Sequence, residues 1–457
     1  MNIWTKISLA ITTLTITTSI NASLTPIKAN PEYQWDMMTL GEFAPHSWWS
    51  GDNFVNAWKT MSDHGYIPGH NVVVAIIDSG YTPHQNFINN LQTFNGEAGV
   101  YGYQFISDCR VSGECEPSTT DDEKITKWLY KKNGVDRGDY VDEEFIKYFS
   151  KYELSVSDSL WFGTSLIGII IGSGYNNGTG IAGGAYGAKV IPIRVYGRGG
   201  VINTSVDVLN GMLWAAGFEV TNMDNSIVPI NQNPAQVINL SFSIPGTCPV
   251  DMQNAINKIT DKGIVIVAGA GNNQSDIANY APANCNNVIS VAAKTSINKL
   301  AFYSNYGTTT IAASAGNSSR IYSASWSLKG AYNSNSPVDS SSWSFLWAGT
   351  GIASAHVTAA AANLISILKA RNQPYTPKDI TNILQKTATK YKICGDYGCA
   401  EGGALDMDNA VKYVLLNKDN FNHETSSDSN NLAWILPVLG GSAVAAIGGV
   451  YLAKHRK

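Results

Sequence analysis

Charge is scarce in this sequence. Only 14% of its 457 residues are Asp, Glu, Lys or Arg, against roughly 25% in an ordinary globular protein. The 31 basic and 35 acidic side chains nearly cancel, leaving a formal net charge of -4, so there is no electrostatic footprint for a nucleic-acid partner. Cysteine is also sparse, with six in all and no Cys-x-x-Cys pair set beside histidines. That spacing argues against a metal site, and no cofactor is expected. Internal repeats are absent as well.

What the chain does have points outward from the cytoplasm. Asn, Ser, Thr and Gly are abundant, a mix that suits an exported surface. Lys6 precedes the mildly apolar run "ISLAITTLTITTSI", and small residues follow near Ala22, so residues 1–22 read as a signal peptide; a short buried helix is the alternative. The cysteines fall into local or paired sets, Cys109 with Cys115, Cys394 with Cys399, and Cys248 with Cys285. Three disulfides in an oxidising compartment are expected, although six cysteines admit many pairings. A polar linker, residues 417–431, precedes an uncharged, largely apolar run over 432–453, which is followed by "KHRK" at 454–457. Length and flanking charge read as a membrane span with a cytoplasmic basic tail, leaving everything upstream periplasmic or at the cell surface. A sorting signal that is cut off is the alternative.

Between these ends, "NVVVAIID", "AKVIPIRV", "AQVINLSF", "GIVIVAGA" and "NVISVAA" are near-continuous apolar runs, as expected for a parallel sheet covered on both faces. Helical patterns alternate with them: "SVDVLNGMLWAAG", "DMQNAINKITDKG", a long run opening at Gly351, and "TPKDITNILQKTA" with Thr376 as cap and Pro377 in its first turn. The expected fold is α/β, a doubly wound, mostly parallel sheet with helices on both faces, spanning residues 30–416. Chemistry in such folds gathers beyond the carboxyl ends of strands, where Asp78 and Asn272 stand. The helix after Gly351 is apolar or small nearly all round, so it is expected to be buried. The acidic stretch "TTDDEKITKWLYKKNGVDRGDYVDEEF" reads as a solvated loop, with calcium ligation as the alternative.

Taken in order, "VVVAIIDSG", "FGTSLIGIIIG", "VINLSFS", "VIVAGAGNN" and "GTGIASAHV" resemble the motifs of the subtilisin-like serine proteases, in their secreted bacterial branch. The resemblance implies a triad of Asp, His and Ser in that chain order. It places Asp78 at the acid and Asn272 at the oxyanion position. It also implies that Phe162 stands where the family has its histidine and Gly351 where it has its serine. Neither side chain can do the work of the residue it replaces, since phenylalanine has no lone pair for a proton and glycine no oxygen for attack. The resemblance places Ser241, Ser243 and Ile244 in the strand that lines the family's substrate cleft, and Ser243 and Ile244, where the family has glycines, are expected to narrow or reshape its pocket. The family's branch also implies a Cys248–Cys285 disulfide; many of its members bind calcium, which these residues do not decide.

The expected function is therefore an exported, membrane-anchored pseudoprotease that holds an extended peptide or protein in the former substrate cleft. Two alternatives stand beside it: a secreted serine endopeptidase with a non-standard catalytic apparatus, and a structural cell-surface protein. For the second reading, His84, six residues past Asp78, and Ser354 with His356, beside Gly351, are the nearest substitutes. A turn histidine and interior structural residues are the plainer explanations.

Overall fold

The apolar runs read as strands assemble into one parallel sheet. The chain divides into two units, Met1–Asp419 and Asn420–Lys457. The computed structural model describes residues 34–37, 50–108, 134–135, 162–174, 180–197, 200–202, 204–221, 227–316, 325–327, 345–389 and 392–417, all in the first unit. The expected signal peptide, Cys109 and Cys115, most of the acidic stretch, and the carboxy-terminal span and tail lie outside them.

The strands, in chain order, are β1 (Val73–Asp78), β2 (Tyr103–Gln104), β3 (Lys189–Arg194), β4 (Val220–Thr221), β5 (Ile227–Val228), β6 (Val237–Leu240), β7 (Ile244–Pro245) and β8 (Val265–Gly269). There follow β9 (Tyr280–Ala281), β10 (Val288–Lys294), β11 (Ile311–Ser314), β12 (Ser325–Ser327), β13 (Phe345–Trp347), β14 (Ile393–Cys394) and β15 (Cys399–Ala400). Seven form the main sheet in the order β11-β10-β8-β6-β1-β3-β2, every pairing parallel. The remaining eight pair antiparallel, β4 with β5, β7 with β9, β12 with β13, and β14 with β15.

The main helices are α1 (Phe54–Asp63), α2 (Phe162–Ile171), α3 (Ser205–Ala215), α4 (Val250–Asp261), α5 (Thr350–Ala370), α6 (Pro377–Thr387) and α7 (Met407–Leu416). Alternate strand residues face opposite ways, and the two faces are covered by different helices. Ala75, Ile77, Ile191, Ile193, Ile238, Leu240, Ile266 and Ala268 share a core with Val208, Met212 and Trp214 of α3 and Met252, Ile256 and Ile259 of α4. On the other face α2 and α5 pack against the sheet and each other, and Thr358 of α5 donates to Asn239 at 2.9 Å. This is the doubly wound arrangement expected. Helix α6 starts as its sequence predicts, with Thr376 and Asp379 forming a reciprocal capping box and Pro377 in the first turn.

Helix α5 runs through the interior, with every residue from Thr350 to Leu368 buried. Among the described residues it is the one helix long and apolar enough to cross a membrane, yet its apolar window is wholly covered by protein. Two of the expected disulfides are present, Cys248–Cys285 and Cys394–Cys399. The first ties the start of α4 to the approach to β10; the second closes the β14–β15 hairpin.

From β1 the chain goes to β2 at one edge and back to β3, which pairs with β1, and then runs outward through β6, β8, β10 and β11 on the other side. The switch point therefore lies between β1 and β6, where sheets of this type place their ligands, beyond the strands' carboxyl ends. Asp78 ends β1, Ser241 follows β6, and Asn272 lies just past β8.

Candidate active site

Backbone contacts without room for a side chain set the site's frame. A β-carbon on Gly163 would collide with the Gly80 carbonyl, so the first turn of α2 sits directly on the turn that follows Asp78. The Gly163 N–H donates to Ser79 Oγ at 3.0 Å and the Thr82 N–H to Thr164 Oγ1 at 2.9 Å. On the other side, a β-carbon on Gly269 would come within 2.9 Å of the Thr350 backbone, pressing the end of β8 against the start of α5. The Gly271 N–H donates to Thr350 Oγ1 at 3.0 Å. Phe162 and Gly351 thereby stand in the first turns of α2 and α5, Asp78 ends β1, and Asn272 lies in the bend just past β8.

Asp78 is buried, and its Oδ1 accepts from the Ser79 N–H at 2.7 Å. Its charge reaches Tyr196, just past β3: burial first, and then the nearby carboxylate, push that phenol above its ordinary range. Asn272 is exposed, and its amide oxygen accepts from Thr350 N at 2.9 Å and Thr350 Oγ1 at 3.1 Å. With its oxygen engaged, the amide NH2 is the end that can meet a ligand's oxygen.

Phe162 and Gly351, 189 positions apart in sequence (351 minus 162), touch. A β-carbon built on Gly351 would lie 2.9 Å from Phe162 Cε1, 3.2 Å from its Cζ and 3.1 Å from Ser241 Cβ. The edge of the aromatic ring thus lies against the bare α-carbon, in space a side chain at 351 would need. Ser241 completes the floor: its Oγ accepts from Asn239 Nδ2 at 2.6 Å and stands 3.3 Å from Ser354 Oγ. Ser354 donates to the Gly351 carbonyl at 2.7 Å. Ser243 reaches across the cleft wall, its Oγ 2.7 Å from where a β-carbon on Gly271 would stand. Ile244 is drawn into the short antiparallel pair, opposite Ala281.

Neither alternative histidine is placed as a base. His84 is buried, accepts from the Asn86 N–H through Nδ1 at 3.0 Å and stacks on Phe87, and burial pushes it down to about 4. His356 is fully buried, with Nε2 2.9 Å from Asp36 Oδ2 and Nδ1 2.9 Å from the Ser314 carbonyl. Both of its ring nitrogens are committed away from Ser241 and Ser354. Among the described residues, no three or more His, Cys, Asp or Glu side chains gather as a metal site would require.

Sequence reasoning missed two features. One is the direct packing of Phe162 on Gly351, for which the only sign was that both positions departed together. The other is a group of buried charges around His356, hinted at by Lys294, a lysine ending an otherwise apolar strand.

The sequence profile of the Subtilase family matches residues 69–413. The chain belongs to the subtilase family. This subtilase is 32% identical over 415 residues to a protein from Dichelobacter nodosus named an extracellular basic protease, covering 89% of this chain and 62% of that one. It is 32% identical over 398 residues to an extracellular protease of Xanthomonas campestris, covering 87% of this chain and 58% of that one. The chain thus spans about three-fifths of the length of these two relatives. Among solved structures it resembles a protease from Pseudoalteromonas arctica PAMC 21717, with a TM-score of 0.63 and 31% identity, covering 84% of this chain and all of the other. The extracellular relatives and the two disulfides both point to export, because such bonds persist in oxidising compartments.

Proposed function

We propose that this subtilase binds an extended polypeptide in its cleft without cleaving it, outside the cytoplasm and held at the membrane by residues 432–453. The observation that carries this reading is the Phe162 ring resting on Gly351, in the space of any side chain at that position. Hydrolysis by this fold needs an oxygen to attack the carbonyl and a base to take its proton. In subtilisin itself, losing either group costs about 10⁶ in kcat, or roughly 8 kcal/mol of transition-state stabilisation. Binding does not require those groups. An extended peptide held by main-chain hydrogen bonds beside a sheet needs only exposed backbone and pockets for alternate side chains. Asn272, the walls at Ser241–Ser243 and Gly271–Asn272, and the approach of Ser243 to Gly271 fit a cleft that has been reshaped rather than lost.

The rival reading is an active serine endopeptidase using another hydroxyl. It has the extracellular protease relatives in its favour, and Ser241, beside Gly351, is the hydroxyl it would use. A serine-directed fluorophosphonate probe, applied to the folded full chain with casein hydrolysis measured in parallel, separates the two. No labelling above a heat-denatured control and no hydrolysis are expected; stoichiometric labelling of Ser241 or Ser354 would sink the binding-only reading. Display selection of peptides on the same protein tests the positive half. Enrichment that vanishes when a bulky residue replaces Ser243 supports the cleft, and enrichment indifferent to the cleft favours the structural surface protein.

A further inference from the structure

Four ionisable side chains meet, fully buried, beneath the amino-terminal part of α5. Asp36 comes from the short helical turn Trp35–Met37, Asp52 from the loop before α1, Lys294 from the end of β10, and His356 from α5 itself. Asp406, which precedes α7, is the next charge, near enough to influence Lys294. The Phe54 ring, 6.2 Å from the imidazole, supplies the apolar side of the nest.

The two carboxylates are not served equally. Asp52 accepts from the Ser314 N–H at 2.9 and 3.2 Å and from Ser314 Oγ at 2.8 Å, and Lys294 Nζ stands 3.3 Å from its Oδ1. Lys294 also donates to the Ser50 and Gly51 carbonyls. Asp36 has one side-chain partner, His356 Nε2 at 2.9 Å, while its Oδ1 is buried without a hydrogen bond. On the other nitrogen, His356 faces the Ser314 carbonyl at 2.9 Å. A carbonyl and a carboxylate are both acceptors, so both contacts are hydrogen bonds only when both ring nitrogens carry protons. The cluster is then balanced, two anions against two cations.

We propose that the Asp36–His356 contact is a proton-operated latch that clips the amino-terminal segment Gln34–Met37 onto α5 and opens when His356 becomes neutral. Loss of one ring proton sets a lone pair against either the Ser314 carbonyl or Asp36; when the remaining proton stays on Nδ1 for Ser314, Asp36 is left a buried carboxylate without a donor, a costly state. The weaker fastening then gives way. The segment is also fastened by the paired amide bonds of Gln34 with Ala182, at 3.0 and 2.9 Å, by the Asp52 N–H on the Asp36 carbonyl, and by the buried Met37 side chain. Burial alone would lower the basicity of His356, but Asp36, Asp52 and the Ser314 carbonyl outweigh it and raise its pKa above the ordinary 6.5. A raised pKa contributes stability that is complete below the unfolded value and is lost as pH rises through the folded one. Opening therefore belongs to the alkaline side. Lys294, pushed down mainly by burial, works in the opposite sense, so it does not explain an alkaline release. His356 lies five residues after Gly351, about one and a half helical turns, so the latch bears on the helix that floors the cleft.

The test is amide exchange of the full chain from pH 6 to 9.5, read on peptides covering 34–37 and corrected for intrinsic rates. Opening of the segment is expected to increase by up to about tenfold per pH unit while one proton is being lost. Asp36→Asn, changed on the segment itself, is expected to flatten that dependence, and His356→Gln to leave the segment open throughout. If His356→Gln does not fold, Asp36→Asn and the wild-type profile decide the matter alone. Equal protection at pH 6 and 9.5 in the wild type, or an undiminished pH dependence in Asp36→Asn, would overturn the latch.

Discussion

Replacing Gly351 by alanine probes the central contact with the fewest added atoms. In the first turn of a helix the change alone should stabilise by up to about 1 kcal/mol, because glycine carries the larger entropy loss. Here the new β-carbon would stand 2.9 Å from Phe162 Cε1 and 3.1 Å from Ser241 Cβ. Ser241 is tied to Asn239 at 2.6 Å and α5 is buried along its length, so the ring must move. Overpacking of this kind costs about 1 to 3 kcal/mol. The net expected for Gly351→Ala is then a loss of about 0 to 2 kcal/mol in the native background. With Phe162→Ala already present, the same change should be neutral or stabilising, by up to about 1 kcal/mol. The double-mutant cycle isolates the coupling, about 1 to 3 kcal/mol, well above the roughly 0.5 kcal/mol expected of independent sites. Urea denaturation of the four proteins, followed by tryptophan fluorescence, supplies the numbers. A coupling within 0.5 kcal/mol of zero, as independent sites show, would refute the claim that the ring occupies the side-chain space of residue 351.

Other changes test the reading of the cleft and its surroundings. Phe162→His with Gly351→Ser is expected to restore little hydrolysis of a chromogenic peptide, on the reading that Ser243 and Ile244 reshape the pocket as well; activity near that of an active relative would show the pocket intact. Ser243→Gly should open the wall facing Gly271 and shift display-selected peptides towards bulkier residues at one position, by about tenfold or more for each methylene gained; an unchanged selection counts against Ser243 as a specificity residue. Asp207, in the first turn of α3, has its carboxyl pushed up to about 7 by burial, against hydrogen bonds from Ser107 and Thr204. The folded protein therefore binds this proton more tightly than the unfolded one, and stability should fall as pH rises from about 4 to 7. Asp207→Asn is expected to remove that slope from a plot of Tm against pH.

Much of this architecture is legible in the sequence. Five apolar runs appear as β1, β3, β6, β8 and β10, because strands covered on both faces must be apolar throughout. Helices α3 to α6 fall within a residue or two of their patterns, and α6 even shows the cap read from Thr376 and Pro377. The site was half legible: the motifs located Asp78, Asn272, Phe162 and Gly351, but not which atoms meet. Long-range contacts leave no periodic trace. Asp36 and Asp52 sit in stretches with no motif, and a histidine in a buried helix looks like a packing residue until its two acceptors are seen.

By itself the sequence determined the five central strands, helices α3 to α6, the doubly wound class of the fold and the chemistry unavailable at positions 162 and 351, because each follows from local pattern or from what a side chain contains. Only the tertiary structure decided that the Phe162 ring rests on Gly351, that Ser243 faces Gly271, and that Asp36 depends on His356. Those are meetings between residues far apart in the chain, and their distances are set by how α2, α5 and the amino-terminal segment pack against one sheet.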